Sequence, residues 1–316
     1  MPAFSATSPG KIILFGEHAV VYGEPAIALP VFSTQAKAII SARVQGKSGE
    51  IWIEAPDISL STSVDQLEIN HPLRAAIQVV IGDNNLDQIP SCNIQITSEM
   101  PSSSGLGSSA AISISIIRAF SAFLGKRLND EQVSDLAYEV EKIHHGTPSG
   151  IDNTVISYQK PIYYQRGNPI EFLQIGKEFS ILAAYSGIPG NTKEAVGGVR
   201  ERWQKEPDIY NQAFSKIGEI SQEAKRIVKT GNPDHLGSLM NENHELLKEI
   251  GVSTPELDQL VKTAKEAGAL GAKLSGGGLG GHIIALVKSD ADHISGELRN
   301  KGAISTLITP VKKSSL

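Results

Sequence analysis

Pro101-Ser102-Ser103-Ser104-Gly105-Leu106-Gly107-Ser108-Ser109-Ala110-Ala111 is the stretch on which the reading of this chain turns. Ahead of it Cys92, Ile94 and Ile96 alternate with polar residues, the period of a half-buried strand. Behind it Ile112, Ile114, Ile116, Ile117, Phe120 and Phe123 predict a largely buried helix beginning at Ser108. A loop of glycines and serines therefore lies between a strand and a helix N-terminus, where the first backbone N–H groups lack helical partners and the macrodipole is positive. Glycines let backbone wrap closely around an oxygen-rich group, and hydroxyls near a helix start can bind phosphate or a metal ion. The stretch reads as a phosphate cradle, although a plain N-cap and turn would also account for Ser108 and Ser109. It lacks the Gly-Lys-Ser/Thr ending of a Walker A loop and the spacing of a dinucleotide-binding loop, which excludes both.

The chain has 316 residues, enough for two domains with substantial cores, and its 40% hydrophobic and 20% charged residues are those of an ordinary globular protein. A net charge of -5 gives no reason to propose nucleic acid or an anionic membrane as partner. The single cysteine, Cys92, excludes an intramolecular disulfide and a cysteine-based metal cluster, and is expected in the core of its strand. No apolar run approaches a membrane span and the first residues show no signal-peptide stretch, so a cytoplasmic location is expected.

Along the chain, Ser8-Pro9-Gly10-Lys11 through Gly16-Glu17-His18-Ala19-Val20-Val21-Tyr22-Gly23 brackets a buried strand, Ile12 to Phe15, with ionisable residues. Lys11, Glu17 and His18 fall at its ends, where side chains can enter a cleft; an edge strand with surface charges is the alternative. Residues 36–44 and 50–55 predict a hairpin through Gly46-Lys47-Ser48-Gly49, and Pro72 to Ile81 a short helix. A helix starting at Asn129-Asp130-Glu131 has Val133, Leu136, Ala137 and Val140 on its apolar face and Glu141 at the border of that face. A salt bridge and a metal ligand are both open to Glu141. The helix ends at His144-His145-Gly146-Thr147-Pro148-Ser149-Gly150, whose histidines read as packing residues and not zinc ligands. Asp152 follows this turn, either as a turn cap or as a functional carboxylate.

A domain boundary is expected near 168–178. Phe179 to Tyr185 predicts a strand, and Gly190-Asn191-Thr192-Lys193 a loop. Helices are expected at 208–229, Leu236 to Ile250 and Pro255 to Ala267, the last with Thr254 as N-cap and Gly268 as stop. Lys273-Leu274-Ser275-Gly276-Gly277-Gly278-Leu279-Gly280-Gly281 reads as a second glycine-rich loop, kept because a ligand or another backbone comes very close. The strand His282 to Val287, a helix at 291–300 and a strand near 303–309 complete an α+β pattern.

Three of these stretches resemble the three motifs of the GHMP kinases, a family named after galactokinase, homoserine kinase, mevalonate kinase and phosphomevalonate kinase. They are Pro9 to Gly23, Pro101 to Ala111 and Lys273 to Gly281, in matching order and spacing across essentially the whole chain. The segments Glu17 to Gly23 and Pro148-Ser149-Gly150-Ile151-Asp152-Asn153 are similar to those of the mevalonate kinases within that family. The resemblance implies a two-domain GHMP kinase fold: a ribosomal-S5-domain-2-like N-terminal domain (1–172, nucleotide-binding), a ferredoxin-like C-terminal domain (173–316) and a site in the cleft between them. It implies ATP as co-substrate, Mg²⁺, and mevalonate as phosphoryl acceptor through its primary hydroxyl; relatives are often homodimers.

On matching residues, the family's roles make Asp152 the general base and Lys11 the cation that keeps it ionised and offsets charge on the moving phosphoryl group. Ser109 and Glu141 (eleven residues before Asp152, as in the family) would hold Mg²⁺. Ser103, Ser104, Gly105, Leu106, Gly107, Ser108 and Ser109 would wrap the ATP phosphates, and Glu17, His18, Thr192 and Gly277 would line the mevalonate side, with Lys193 and Arg200 as candidate carboxylate anchors. The third motif departs from the family's glycine-rich pattern at Leu279, where positive φ would store roughly 1–2 kcal/mol, and at His282, which could be an ordinary strand residue. Ser103 stands where many relatives have glycine. The alternatives are a GHMP kinase acting on phosphomevalonate or a sugar, and a ligand-binding regulator that lost catalysis. The regulator would be expected to lack the base or the metal ligand, and both are present.

Overall fold

The computed structural model describes residues 3–84, 88–101, 104–145 and 148–314; Ser103, Gly146, Thr147 and the side chains of His144 and His145 lie outside the described residues. Two compact units form, Met1–Gly10, Thr34–Pro101 and Gly107–Gln159 making the first and Lys11–Ser33, Ser102–Leu106 and Lys160–Leu316 the second. Two long strands that pair with each other, β1 (Ala3–Phe15) and β2 (Ala26–Ala42), each contribute a part to both.

In the first unit β3 (Ile51–Ala55) pairs antiparallel with β4 (Leu60–Ser63), and α1 (Pro72–Asn84) leads to β5 (Cys92–Ser98). The expected hairpin of 36–44 with 50–55 is corrected: β5 lies between β2 and β3. It pairs antiparallel with β2, from Ala36 opposite Ser98 to Ala42 opposite Cys92, and parallel with β3, Ile51 standing opposite Cys92. The turn after β2 serves this insertion, since Arg43 N–H donates to Ser91 O (2.9 Å) and Gly49 N–H to Ile89 O (2.7 Å). Cys92 is fully buried, as expected, and burial pushes its thiol up to about 12.

Then come α2 (Ser108–Phe123), α3 (Asp130–His145) and α4 (Ile151–Tyr158), packed on one another. Ile114, Ile116, Ile117 and Phe120 of α2 are buried as expected while Ile112 and Phe123 are half-buried, and the buried Ser115 hydroxyl ties the helix to the strands through Ser8 Oγ (2.9 Å) and Ala36 O (3.1 Å).

In the second unit β6 (Ile162–Tyr164) pairs with residues 26–28 of β2 and with β7 (Glu171–Phe172). A four-stranded antiparallel sheet follows, from β8 (Phe179–Tyr185), α5 (Thr192–Lys205), α6 (Pro207–Thr230), α7 (Leu236–Glu249), α8 (Pro255–Glu266), β9 (Gly271–Ser275), β10 (His282–Val287), α9 (Ala291–Asn300) and β11 (Ser305–Val311). Its order, β11-β8-β10-β9, is that of a ferredoxin-like βαββαβ unit with extra helices in the first crossover. The predicted stripe Phe214, Ile217, Ile220, Ala224, Ile227 and Val228 is buried on α6, and Thr254 caps α8 through Leu257 N–H (3.3 Å). Two boundaries are corrected. Thr192 and Lys193 open α5 instead of lying in a loop, because Asn191 accepts from Glu194 N–H (3.1 Å) as an N-cap. Lys273 to Ser275 belong to β9, which leaves 276–281 as the glycine-rich loop.

Helix α7 lies on β9 backbone to backbone. A Cβ at Gly271 would stand 2.0 Å from Gly237 O, and one at Gly237 2.3 Å from Leu270 O. Gly271→Ala should therefore cost about 3 kcal/mol, the upper range for an overpacked core site. Urea unfolding measures it, and a midpoint equal to that of the unsubstituted protein would contradict the close approach.

Candidate active site

The first unit supplies three of the expected site residues from three mutually packed helices. Ser109 is half-buried in the first turn of α2, behind Gly107 in left-handed conformation (φ +77°). Glu141 is buried on α3, on the border of its apolar face. Asp152, half-buried, lies in the first turn of α4, which starts abruptly after Gly150 (φ +90°). Two residues that sequence reasoning missed hold these helices in register. Arg118 on α2 donates to Asp130 Oδ1 on α3 (2.6 Å) and to Ser157 O on α4 (2.8 Å). Asn153, next to Asp152, donates to Ser134 O (3.2 Å) and Ser134 Oγ (3.0 Å) on α3. A lone arginine inside the apolar run of α2 was the available signal.

The second unit gathers Lys11, Glu17, His18, Thr192 and Gly277. Lys11, Glu17 and His18 are all buried, which removes the surface-edge reading of the first motif. Gly16 (φ +96°) has no room for a Cβ, which would stand 2.4 Å from Ala26 Cα, so the chain turns sharply after β1. That turn sends Glu17 into an ion pair with Lys273 of β9, both side chains having no solvent exposure. Burial pushes the Glu17 carboxyl up and the Lys273 ammonium down, each opposed by the charge of the other. Lys273 Nζ also donates to Leu274 O (2.7 Å), while Glu17 Oε2 is buried with no hydrogen-bond partner among the described residues. Lys273 was read as part of a loop; its function as a counter-ion was not visible in the sequence.

His18, itself at φ +60°, donates through Nε2 to Gly277 O (2.8 Å), and burial lowers its pKa to about 4, so the ring is neutral. Ser275 Oγ accepts from Ile13 N–H (3.1 Å) and donates to Ile13 O (2.9 Å), binding β1 to β9. Gly277 faces Thr192 so closely that a Cβ would stand 3.0 Å from Thr192 Cα. Thr192, Lys193 and Arg200 are exposed on α5. The third-motif departures are explained: Leu279 does adopt positive φ (+55°), held by its N–H bond to Val252 O (2.8 Å). His282 is no ordinary strand residue, since it is hydrogen-bonded to Ser104 O and stacked on Tyr185.

The second motif divides between the units. Ser104, Gly105 and Leu106 belong to the second; Gly107, Ser108 and Ser109 belong to the first; Ser103 is outside the described residues. Ser104 is buried with its hydroxyl unpartnered among the described residues, Gly105 has φ +89°, and Leu106 O accepts from Lys11 N–H (2.8 Å). Among the described residues no group of three His, Cys, Asp or Glu side chains could hold a metal ion, and no helix is long and apolar enough to cross a membrane.

Comparison with known proteins gives this arrangement its class. Residues 70–160 match the family model of the GHMP kinases N terminal domain and residues 223–304 that of the GHMP kinases C terminal. The mevalonate kinase of Pyrococcus horikoshii is 36% identical over 98% of this chain and 96% of its own length. The crystal structure of L. major mevalonate kinase in complex with R-mevalonate superposes with a TM-score of 0.84 at 31% identity, over 99% of this chain and 97% of that one. The Methanococcus jannaschii mevalonate kinase gives 0.85 at 29% identity, over 99% of both. The fold is thus the two-domain GHMP kinase fold, and the protein is an enzyme, a kinase. Within that class the chain belongs to the mevalonate kinase family.

Lys273→Met would leave Glu17 as a buried, uncompensated carboxylate, which costs about 3–5 kcal/mol. The double variant Glu17→Gln/Lys273→Met should regain a large part of that loss. Denaturant titration of the three variants tests the pair, and additive losses in the double variant would show that the two charges do not depend on each other.

Proposed function

We propose that this chain transfers the γ-phosphoryl group of ATP to the primary hydroxyl of mevalonate, giving 5-phosphomevalonate for isoprenoid synthesis. The reading is carried by near-full-length identity of 36% with a curated mevalonate kinase. In this reading Asp152 takes the proton of the hydroxyl late in the transfer, as a weak alcohol nucleophile requires. Lys11 offsets negative charge on the moving phosphoryl group, and Ser103 to Ser109 wrap the triphosphate through backbone N–H groups and hydroxyls. Glu17, His18, Thr192 and Gly277 serve the mevalonate side, with Lys193 and Arg200 as candidate anchors for its carboxylate.

Mg²⁺ takes hard oxygen ligands and keeps several waters, so one hydroxyl and one carboxylate are a sufficient protein share. Ser109 and the buried Glu141 offer that donor set on helices that pack together, and they fit the ion. When bound, Mg²⁺ neutralises charge on phosphate oxygens. We assign nucleotide chemistry to residues 1–172 and the remainder of the fold to 173–316, in a cytoplasmic enzyme without nucleic-acid or membrane partners; a homodimer enters the proposal only by resemblance to relatives.

Product analysis after incubation with ATP, Mg²⁺ and each of mevalonate, phosphomevalonate and galactose tests the assignment. ADP and 5-phosphomevalonate in equal amounts are expected from mevalonate; turnover of only another alcohol would overturn it. Asp152→Ala should lower kcat by about 10²–10⁴-fold, the usual share of a general base, with ATP affinity retained; a near-normal kcat would remove Asp152 from the mechanism. Glu141→Gln should raise the Mg²⁺ concentration for half-maximal rate by at least about tenfold, and an unaltered Mg²⁺ titration counts against the metal role.

A further inference from the structure

His282 opens β10 and is buried. Its Nδ1 lies 2.5 Å from Ser104 O, and its ring stacks on Tyr185 with centroids 5.1 Å apart. A carbonyl oxygen only accepts, so Nδ1 carries the proton and donates. Burial lowers the pKa of the ring to about 4, and the donor is therefore a neutral imidazole at any pH near 7.

The surroundings leave the Ser104–Leu106 segment little freedom. A Cβ on Gly281 (φ +80°) would stand 3.0 Å from Ser104 O, so only glycine lets the segment seat against the strand at that point. Gly105 and Gly276 lie alongside, their Cβ positions at ordinary contact distance from Ser275 O (3.7 Å) and Gly105 O (3.8 Å). Leu106 O is taken by Lys11 N–H at 2.8 Å. Two successive contacts thus grip the segment by its carbonyls. In a trans peptide the C=O and the following N–H point in opposite directions, and no cis peptide occurs among the described residues. Drawing Ser104 O toward His282 therefore turns the Gly105 N–H the other way, out from β10.

We infer that His282 is a positioning residue for nucleotide: by holding Ser104 O it sets the direction in which the Gly105 N–H meets phosphate oxygens of ATP. This rests on the reading of Ser103 to Ser109 as the triphosphate cradle. His282 does not touch ATP; it acts through the Ser104–Gly105 peptide.

Three variants test it, by KM for ATP, KM for mevalonate and equilibrium ATP affinity. His282→Phe keeps a stacking ring and deletes the donor. It should weaken ATP binding and raise its KM by about 3- to 10-fold, the worth of one hydrogen bond, with KM for mevalonate within about twofold. His282→Asn, whose amide N–H can reach the same carbonyl, should restore most of the ATP affinity. Gly105→Ala, forced into left-handed backbone, reports on the cradle itself and should weaken ATP binding further. If Gly105→Ala weakens ATP binding and His282→Phe does not, the inference about His282 fails and the cradle stands. If Gly105→Ala has no effect, the cradle reading fails. Equal losses for ATP and mevalonate in His282→Phe, unrelieved in His282→Asn, would reduce His282 to a residue of general packing and overturn the inference.

Discussion

The ion pair of Glu17 with Lys273 is the interaction on which the second unit's share of the site depends. Both side chains are withdrawn from solvent, and an isolated buried ion costs several kcal/mol even after the surroundings relax. Neither can be tolerated without the other. Glu17 follows the end of β1 and Lys273 lies in β9, so their mutual need fixes one strand end against the other. The two Ser275–Ile13 bonds and the His18–Gly277 bond are then short-range consequences of that registration. A buried pair of this kind contributes little net stability compared with an apolar pair of equal volume. It does hold the end of β1 beside β9, the two strands that the Ser275–Ile13 bonds also join.

Much of the architecture was legible because it rests on periodicity and local chemistry. The stripe of α6, the Thr254 cap of α8 and the buried run of α2 follow from apolar spacing and capping residues. The hairpin expected from 36–44 and 50–55 failed for a physical reason: a short polar turn says that two strands are close in sequence, not that they are hydrogen-bonded. The preference of β3 for β5 is a long-range choice that leaves no local mark. Helix α5 did leave one. Asn191 is the N-cap, accepting from Glu194 N–H, and its Nδ2 donates to Glu194 Oε2 (3.1 Å).

The candidate site was legible as motifs and not as contacts. Glycines at 277 and 281 could be recognised as places of close approach, but what approaches them could not: Thr192 and Ser104 lie far away in sequence. Lys273 and His282 were harder still. A lysine beside a glycine-rich loop invites a ligand-binding interpretation, and only burial reveals it as a counter-ion. A histidine at a strand start carries no signal of its own until the acceptor at Ser104 O is known.

Leu279 connects these observations to the demands of the chemistry. Its left-handed backbone stores roughly 1–2 kcal/mol that glycine would not, and such strain persists only where the surroundings over-determine it. They do so here: Leu279 N–H is held by Val252 O, a Cβ on Gly278 would stand 2.1 Å from the same carbonyl, and Arg202 on α5 secures the preceding turn through Ile250 O (2.8 Å) and Gly251 O (3.3 Å). The same segment therefore combines strain at Leu279 with a desolvated charge at Lys273, both unfavourable to folding. Phosphoryl transfer asks a protein mainly for positioning and for fixed dipoles near developing charge. A segment that spends stability to fix backbone direction is what such a reaction selects, and the apolar strands β8 and β10 beside it supply the burial that offsets the cost.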